Sequence, residues 1–123
     1  MKTVTFSIRS MNEVMNDFKE TFKALQAGRH VDPREDVGFT SLEAARNFLT
    51  RERLALLRAI KTSRPRSIYE LAGIVDRDLK NVQEDVRILE RHGLVKIAKR
   101  PRGKRIVKAP RVPFDEIALR IAI

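Results

Sequence analysis

Five polar side chains between residues 80 and 87 have the chemistry that reads base pairs in double-stranded DNA. Asparagine and glutamine pair with adenine, lysine and arginine with guanine, and glutamate accepts a hydrogen bond from cytosine. The five are Lys80, Asn81, Gln83, Glu84 and Arg87. Apolar residues of helical spacing alternate with them, so one helix would leave them exposed. An ordinary solvated helix surface has the same pattern. Because phosphates repel a carboxylate, Glu84 and Asp85 must each either read a base or point away from the DNA backbone.

A second set of candidate residues is cationic and flanks this segment. The stretch from Lys96 to Arg111 holds eight lysines and arginines and no acidic residue. The first 50 residues have seven basic and seven acidic side chains, so the net charge of +10 belongs to the remainder. Such a surplus attracts polyanions, of which nucleic acid is the commonest inside cells. The expected contacts to the phosphate backbone are Arg64, Arg66, Ser67, Arg100, Arg102, Lys104 and Arg105.

The composition excludes several classes of site. With no cysteine there is no disulfide, thiolate metal site or cysteine nucleophile, which agrees with a cytoplasmic location. No glycine-rich phosphate loop or pair of catalytic carboxylates is present, so we expect no enzymatic activity, no cofactor and no metal. A polar cluster could hold a metal, although a solvated loop is the simpler interpretation; it comprises His30, Asp32, Glu35 and Asp36. No apolar run is long enough for a membrane span or a signal core.

The first part of the chain predicts a strand and an amphipathic helix. Residues 3–8 alternate between apolar and polar, the period of a half-buried strand. Ser10 can cap a helix that continues to about Ala27 and ends at Gly28. Its apolar stripe either packs on the rest of the chain or pairs with its copy, and we expect dimerisation. The stripe consists of Met11, Val14, Met15, Phe18, Phe22 and Leu25.

The middle of the chain predicts a loop and two helices. Arg29 to Val37 has no apolar period and is predicted to be a loop. Ser41 and Thr50 each open a helix, and the second helix runs through Lys61. Pro65 then interrupts the helical pattern.

The next segment predicts two further helices and a hairpin. Ser67 caps a short helix, and Asp78 caps a longer one that reaches His92, which would interact with the helix dipole. The hairpin is predicted from strand residues Leu94, Val95 and Ile97, a turn at Arg100 to Lys104, and returning residues Ile106 and Val107. A helix, a short helix, a tight turn, a longer helix and a basic hairpin, in this order, are the elements of a winged helix-turn-helix, whose last helix enters the major groove.

The end of the chain alternates apolar residues from Ile117 to Ile123, which favours a strand over a short helix. This strand could pair with residues 3–8, within the monomer or across a dimer. The predicted fold class is therefore α+β and mostly helical. The predicted parts are a strand-helix extension for dimerisation at 1–49, a winged helix-turn-helix DNA-binding domain at 50–109, and a C-terminal strand or tail at 110–123.

Three stretches of the second part resemble a known family. They are residues 49–57, residues 64–72 and residues 82–95, the last ending in an LE-x-x-GLV motif at Leu89 to Val95. These stretches resemble prokaryotic winged helix-turn-helix transcriptional regulators of the MarR and ArsR type. The resemblance implies a homodimer that binds palindromic operators in double-stranded DNA. The absence of cysteine departs from the metal-sensing ArsR members.

The whole layout also looks like small archaeal and bacterial antitoxin-like regulators, some of which are encoded beside a toxin. This narrower resemblance implies an alternative, in which the chain binds a partner toxin and autoregulates its operon. RNA binding through the basic hairpin is a further alternative. Single-stranded RNA recognition depends on exposed aromatic platforms, and Tyr69 is the one candidate, so we favour double-stranded DNA.

Overall fold

The computed structural model describes residues 1–30 and 36–123, and within these ranges it has five helices and five strands. This confirms the α+β class, with more residues in helices than in strands. The chain divides into two compact units. The helix-hairpin unit contains Met1–Lys2 and Leu49–Asp115, and the parallel-sheet unit contains Thr3–Phe48 and Glu116–Ile123. The predicted tail at 110–123 is thus divided between the two units.

The parallel-sheet unit is built around a central strand. Its elements are β1 (Thr3–Ile8), α1 (Met11–Gln26), β2 (Asp36–Phe39), α2 (Leu42–Phe48) and β5 (Glu116–Ile121). Both β2 and β5 run parallel to β1, one on each side of it. The rings of Phe6, Phe39 and Phe48 pack with centroids 5.2–5.9 Å apart, which joins β1, β2 and α2 in one apolar cluster.

Two strands of this sheet match the prediction, and one corrects it. The predicted strands at 3–8 and after 116 are confirmed, and they pair within the same chain. The loop prediction for Arg29 to Val37 is wrong at its end, because Asp36–Phe39 forms β2 against β1. This strand has only four residues, one of them Gly38, so its alternation is too short to identify a strand, and its hydrogen bonds to β1 define it.

Helix α1 begins and ends where its sequence predicts. The Ser10 hydroxyl accepts a hydrogen bond from the backbone N–H of Glu13 at 3.2 Å. Gly28 follows the helix with φ of +73°, a conformation that glycine adopts without steric cost. An ion pair joins Arg9 to Asp17 on the helix.

The helix-hairpin unit contains three helices followed by an antiparallel pair of strands. Its elements are α3 (Arg51–Ser63), α4 (Ile68–Val75), α5 (Leu79–Arg91), β3 (Lys96–Arg102) and β4 (Arg105–Arg111). The side chains of Thr50, Ser67 and Asp78 cap the three helices, each accepting from the N–H three residues on, at 3.0–3.3 Å. The largest fully buried core side chains of the unit include Leu56, Ile60, Leu71, Val82, Val86, Leu89, Leu94 and Val95.

The hairpin differs from the prediction in the start of its first strand and in its turn. Leu94 and Val95 precede β3 and are fully buried in the core, so they are core residues and not strand residues. The predicted turn at Arg100 to Lys104 is strand as far as Arg102, which pairs with Arg105. The turn is reduced to Gly103 and Lys104, with Gly103 at φ of +63°. Proline is tolerated in β3 because a two-stranded ribbon leaves one edge of each strand unpaired.

Candidate nucleic-acid interface

Helix α5 separates its apolar stripe from its polar side chains. Val82, Val86 and Leu89 are buried in the helix-hairpin unit. The five side chains with base-reading chemistry are all exposed; they are Lys80, Asn81, Gln83, Glu84 and Arg87. The helix therefore presents amide, cationic and carboxylate groups together on its solvent side, while its packing depends on other residues.

Asp85 points away from this exposed face. Its carboxylate accepts from Arg53 Nε at 3.1 Å and from Arg77 Nη2 at 2.8 Å, and its side chain is 15% exposed. Arg53 belongs to α3, and Arg77 lies in the turn between α4 and α5. The carboxylate therefore ties α5 to both neighbours, and its charge is matched by two guanidinium groups.

A groove of about 400 Å³ runs between α5 and the hairpin. Lys99 and Lys108 face each other across the two strands and line this groove together with Gln83 and Arg87 of α5. Its remaining lining residues are Ile68, Val86, Glu90 and Ile97. Sequence reasoning did not select Lys99 and Lys108. The signal that identifies them is the hairpin register, because strand residues two apart lie on the same face.

The tip of the hairpin is cationic and exposed. Arg102 and Arg105 pair at the ends of β3 and β4, and Lys104 lies in the turn between them. Arg100, two residues before Arg102, is also exposed but is part of the strand. The tip thus places three side-chain cations within one turn of the chain, a surface that attracts phosphate groups.

The segment between α3 and α4 carries the remaining predicted backbone contacts. Arg64 caps α3 in the left-handed conformation, with φ of 46°, and its N–H donates to the Ile60 carbonyl. Arg66 is exposed, and the Ser67 hydroxyl accepts from the Glu70 N–H at 3.0 Å while retaining its own proton to donate. The start of α4 therefore has one arginine and one hydroxyl available to an anion.

The apolar stripe of α1 lies on the surface. All six side chains are between 38% and 66% exposed, and the helix buries none of its residues. Within the parallel-sheet unit, the described residues therefore leave this stripe uncovered. Isolated apolar side chains are normal on a surface, but six in one stripe indicate a contact site.

Neither a metal cluster nor a membrane helix occurs in the described part of the chain. No group of three or more histidine, aspartate or glutamate side chains in residues 1–30 and 36–123 could hold a metal ion. Asp32 and Glu35 of the polar cluster lie outside the described residues. His92 Nδ1 lies 3.0 Å from the Ile88 carbonyl at the end of α5, as its position predicts. No helix in the same ranges is long and apolar enough to cross a membrane.

Comparison with known proteins gives one match. The family model HVO_A0114 matches residues 48–119, which is more than half of the chain and includes the three helices and the hairpin of the helix-hairpin unit. No curated protein and no solved structure matches the chain.

Proposed function

We propose that this chain, which belongs to the HVO_A0114 family, is a sequence-specific regulator of transcription that binds double-stranded DNA as a homodimer. Its helix-hairpin unit would act as a winged helix-turn-helix of the MarR and ArsR type, with α5 in the major groove and the β3–β4 hairpin on the flanking backbone. The role is that of a binding protein without catalytic activity or cofactor.

The division of residues on α5 is the observation that carries this proposal. A recognition helix must pack through one face while the side chains on its other face remain available to base edges. On α5 the buried residues are all apolar, and the amide and cationic side chains between Lys80 and Arg87 are exposed. The neighbouring carboxylate of Asp85 is bound by two arginines and so is withdrawn from that surface.

The groove beside α5 supports a backbone contact next to the bases. Lys99 and Lys108 come from the hairpin, and Gln83 and Arg87 come from the helix. Helix α5 could then contact a base edge while the groove residues contact the phosphates beside it. Phosphate contacts fix the position and orientation of a protein on the duplex, and base contacts provide the sequence preference.

The exposed stripe of α1 supports a homodimer. A phenylalanine buries about 150–250 Å² when fully covered and the other four side chains of the stripe bury less, so six side chains that are 38–66% exposed would bury roughly 500 Å² per protomer. The total of about 1,000 Å² reaches the minimum size expected of a biological interface. We propose that a second copy of the chain covers this stripe. One module contacts few base pairs, whereas a dimer that binds two half-sites one helical turn apart has a higher affinity for DNA.

Selection of bound fragments from random duplex DNA, followed by anisotropy titrations, tests DNA recognition. We expect Asn81→Ala to reduce the preference for the selected sequence and Arg102→Ala to weaken all duplexes alike. Arg46→Ala is the matched control, because it removes one exposed cation from α2, outside the proposed interface. With six to ten phosphates contacted per dimer, affinity should fall about 10³ to 10⁵-fold between 50 and 200 mM salt. No selected sequence, or a flat salt response, contradicts the proposal.

Analytical ultracentrifugation at micromolar concentration tests the dimer. We expect the 14.2 kDa chain to sediment as a dimer. The variant Phe18→Glu should be a monomer, and the variant Asn16→Glu should remain a dimer. Both variants add one carboxylate to α1, but Asn16 is exposed away from the stripe. A wild-type monomer overturns the homodimer. If the monomer instead formed a stoichiometric complex with a co-expressed neighbouring gene product, the antitoxin alternative would take its place.

A further inference from the structure

A second concave site in the helix-hairpin unit is lined mostly by cations. It has a volume of about 360 Å³ and lies between the end of α3 and the hairpin. Its lining residues are Ile60, Lys61, Arg64, Arg100, Arg111 and Val112. Four of these six side chains carry a positive charge, and they come from α3, the residue that caps it, β3 and β4.

This pocket lies on the opposite face of the hairpin from the groove beside α5. Arg100 lies next to Lys99 in β3, and Arg111 lies three positions beyond Lys108 in β4. Because adjacent strand residues point to opposite faces, Arg100 and Arg111 share one face, and Lys99 and Lys108 share the other. The pocket is therefore separate from the groove beside α5, although Arg64 and Arg100 are also among the backbone contacts predicted from the sequence.

Two of the four cations are held in place by the protein. Lys61 Nζ lies 3.0 Å from Asp115 Oδ1 and donates to the Val112 carbonyl at 3.4 Å. A hydrogen bond from the Lys2 backbone N–H, followed by that from Lys61, lowers the pKa of Asp115. Asp115 therefore remains ionised at neutral pH and matches the charge of Lys61.

Arg111 is oriented through a single nitrogen. Its Nη1 donates to the carbonyl oxygens of Pro65 at 3.0 Å and Pro110 at 2.8 Å. Carbonyl oxygens orient the guanidinium but do not neutralise it. The Nη2 and Nε donors of this arginine make no other bond to the described residues, so they remain available at the pocket.

The side chains of the other two cations, Arg64 and Arg100, have no hydrogen-bond or ion-pair partner among the described residues. The helix dipole favours a cation at Arg64, which ends α3, but it does not account for Arg100, which comes from β3. Three arginines, one of them pre-oriented, converge on one pocket without a matching anion.

We propose that this pocket binds a phosphoryl group. Arginine presents N–H donors in a fork that matches two oxygens of a phosphate, and donors from three elements can surround a tetrahedral anion. The volume is at the small end of ligand sites and suits a phosphate with a small substituent. The source is either a phosphodiester of bound DNA or a small phosphate ester. The proposal does not depend on DNA reading by α5.

NMR of the arginine Nε–H signals tests the pocket in the full chain, with inorganic phosphate as the probe at constant ionic strength. We expect saturable shifts at Arg64, Arg100 and Arg111. Arg100→Gln should weaken phosphate binding about tenfold or more, the usual effect of losing a charge-assisted hydrogen bond. Arg91→Gln is the matched control, since it removes the same charge from an exposed position at the end of α5 that lines neither the pocket nor the groove, and it should leave phosphate binding unchanged.

Arg64→Gly provides a second variant whose fold is not at risk, because glycine is the preferred residue at a left-handed helix cap. We expect it to weaken phosphate binding without lowering Tm. Linear, unsaturated shifts at all arginines, or equal losses of phosphate affinity in Arg91→Gln and Arg100→Gln, would overturn the pocket.

Addition of saturating duplex DNA to the phosphate-bound protein separates the two sources. Displacement of phosphate identifies the DNA backbone as the natural occupant, and simultaneous binding identifies a small phosphate ester; both outcomes support a phosphoryl site. The first titration contains no DNA. Failure of duplex binding would therefore refute the proposed DNA function without affecting the phosphoryl-site proposal. A negative phosphate titration would refute only the phosphoryl-site proposal.

Discussion

Asp85→Asn should destabilise the helix-hairpin unit far more than the same change at the adjacent residue, Glu84→Gln. Asp85 receives hydrogen bonds from Arg53 of α3 and from Arg77 before α5, whereas Glu84 is exposed. Both substitutions replace one carboxylate by the amide of the same size. The charge change is therefore identical, and the difference between them measures the two bonds.

The magnitude follows from these contacts. A hydrogen bond to a charged group contributes about 1.5–3 kcal/mol, so two bonds contribute about 3–6 kcal/mol. The amide oxygen can keep one weaker bond, and the partners are 17% and 26% exposed, which lowers the loss. Arg77 Nη1 is already buried without a partner among the described residues, so a second unsatisfied nitrogen adds to the loss. We expect about 3 kcal/mol for Asp85→Asn and less than about 0.5 kcal/mol for Glu84→Gln.

Thermal unfolding followed by circular dichroism, with hydrogen exchange of peptides that cover α5, measures this difference in the full chain. For a unit of this size, 3 kcal/mol lowers Tm by roughly 12 °C or more. The exchange data assign the loss to the helix-hairpin unit. If the two variants melted within 2–3 °C of each other, a shift of less than about 1 kcal/mol, Asp85 would not tie the helices together.

Three further predictions concern single sites. Arg64→Gly should raise the free energy of unfolding by up to about 1.5 kcal/mol. A left-handed conformation costs a non-glycine residue about 1–2 kcal/mol, and the chain entropy of glycine offsets about 0.5–1 kcal/mol of that gain; a lower Tm would contradict this. Asp115→Asn should lower Tm at neutral pH, and the Tm difference from the wild type should shrink as the pH falls below the ordinary pKa of 3.8. The reason is that the lowered pKa of Asp115 stabilises the fold above that pH, and this stabilisation is lost as the folded form is protonated. A constant Tm difference from pH 6 to pH 2 excludes this interpretation. Lys99→Gln with Lys108→Gln should weaken every duplex alike and reduce the slope of log affinity against log salt by up to about 2 if both contact phosphates; altered sequence preference would contradict their assignment.

Helix boundaries were predictable because their signals are local. The hydroxyl or carboxylate at Ser10, Thr50, Ser67 and Asp78 accepts from the N–H three residues on, and this geometry depends on a few neighbouring residues. The short strand β2 was not predictable in this way. Its four residues contain a glycine, and they become a strand through bonds to β1, which is distant in sequence.

The candidate site was predictable in composition and only partly in geometry. The periodicity of α5 already separated exposed side chains such as Asn81 from buried ones such as Val86. It could not reveal that Asp85 faces Arg53, since that contact joins residues 32 positions apart. The pairing of Lys99 with Lys108, and the separation of Arg100 onto the opposite face, follow from a turn shorter than its composition indicated.

The cations of the hairpin should make the protein more stable as salt concentration rises. The carboxylates of the helix-hairpin unit that form ion pairs in the described part of the chain, Asp85 and Asp115, bind Arg53, Arg77 and Lys61. The eight cations from Lys96 to Arg111 have no ion-pair partner among those residues.

Like charges held this close repel one another, and salt screens that repulsion, since the Debye length falls from about 10 Å at 0.1 M to about 3 Å at 1 M. Tm should therefore rise between 50 and 500 mM sodium chloride, and Arg102→Gln should reduce the rise, whereas Arg46→Gln in α2 should reduce it less. A fall in Tm with salt would show that attractive ion pairs dominate the fold. The hairpin charges would then be compensated within the protein, and the main electrostatic argument for an anionic partner would be lost.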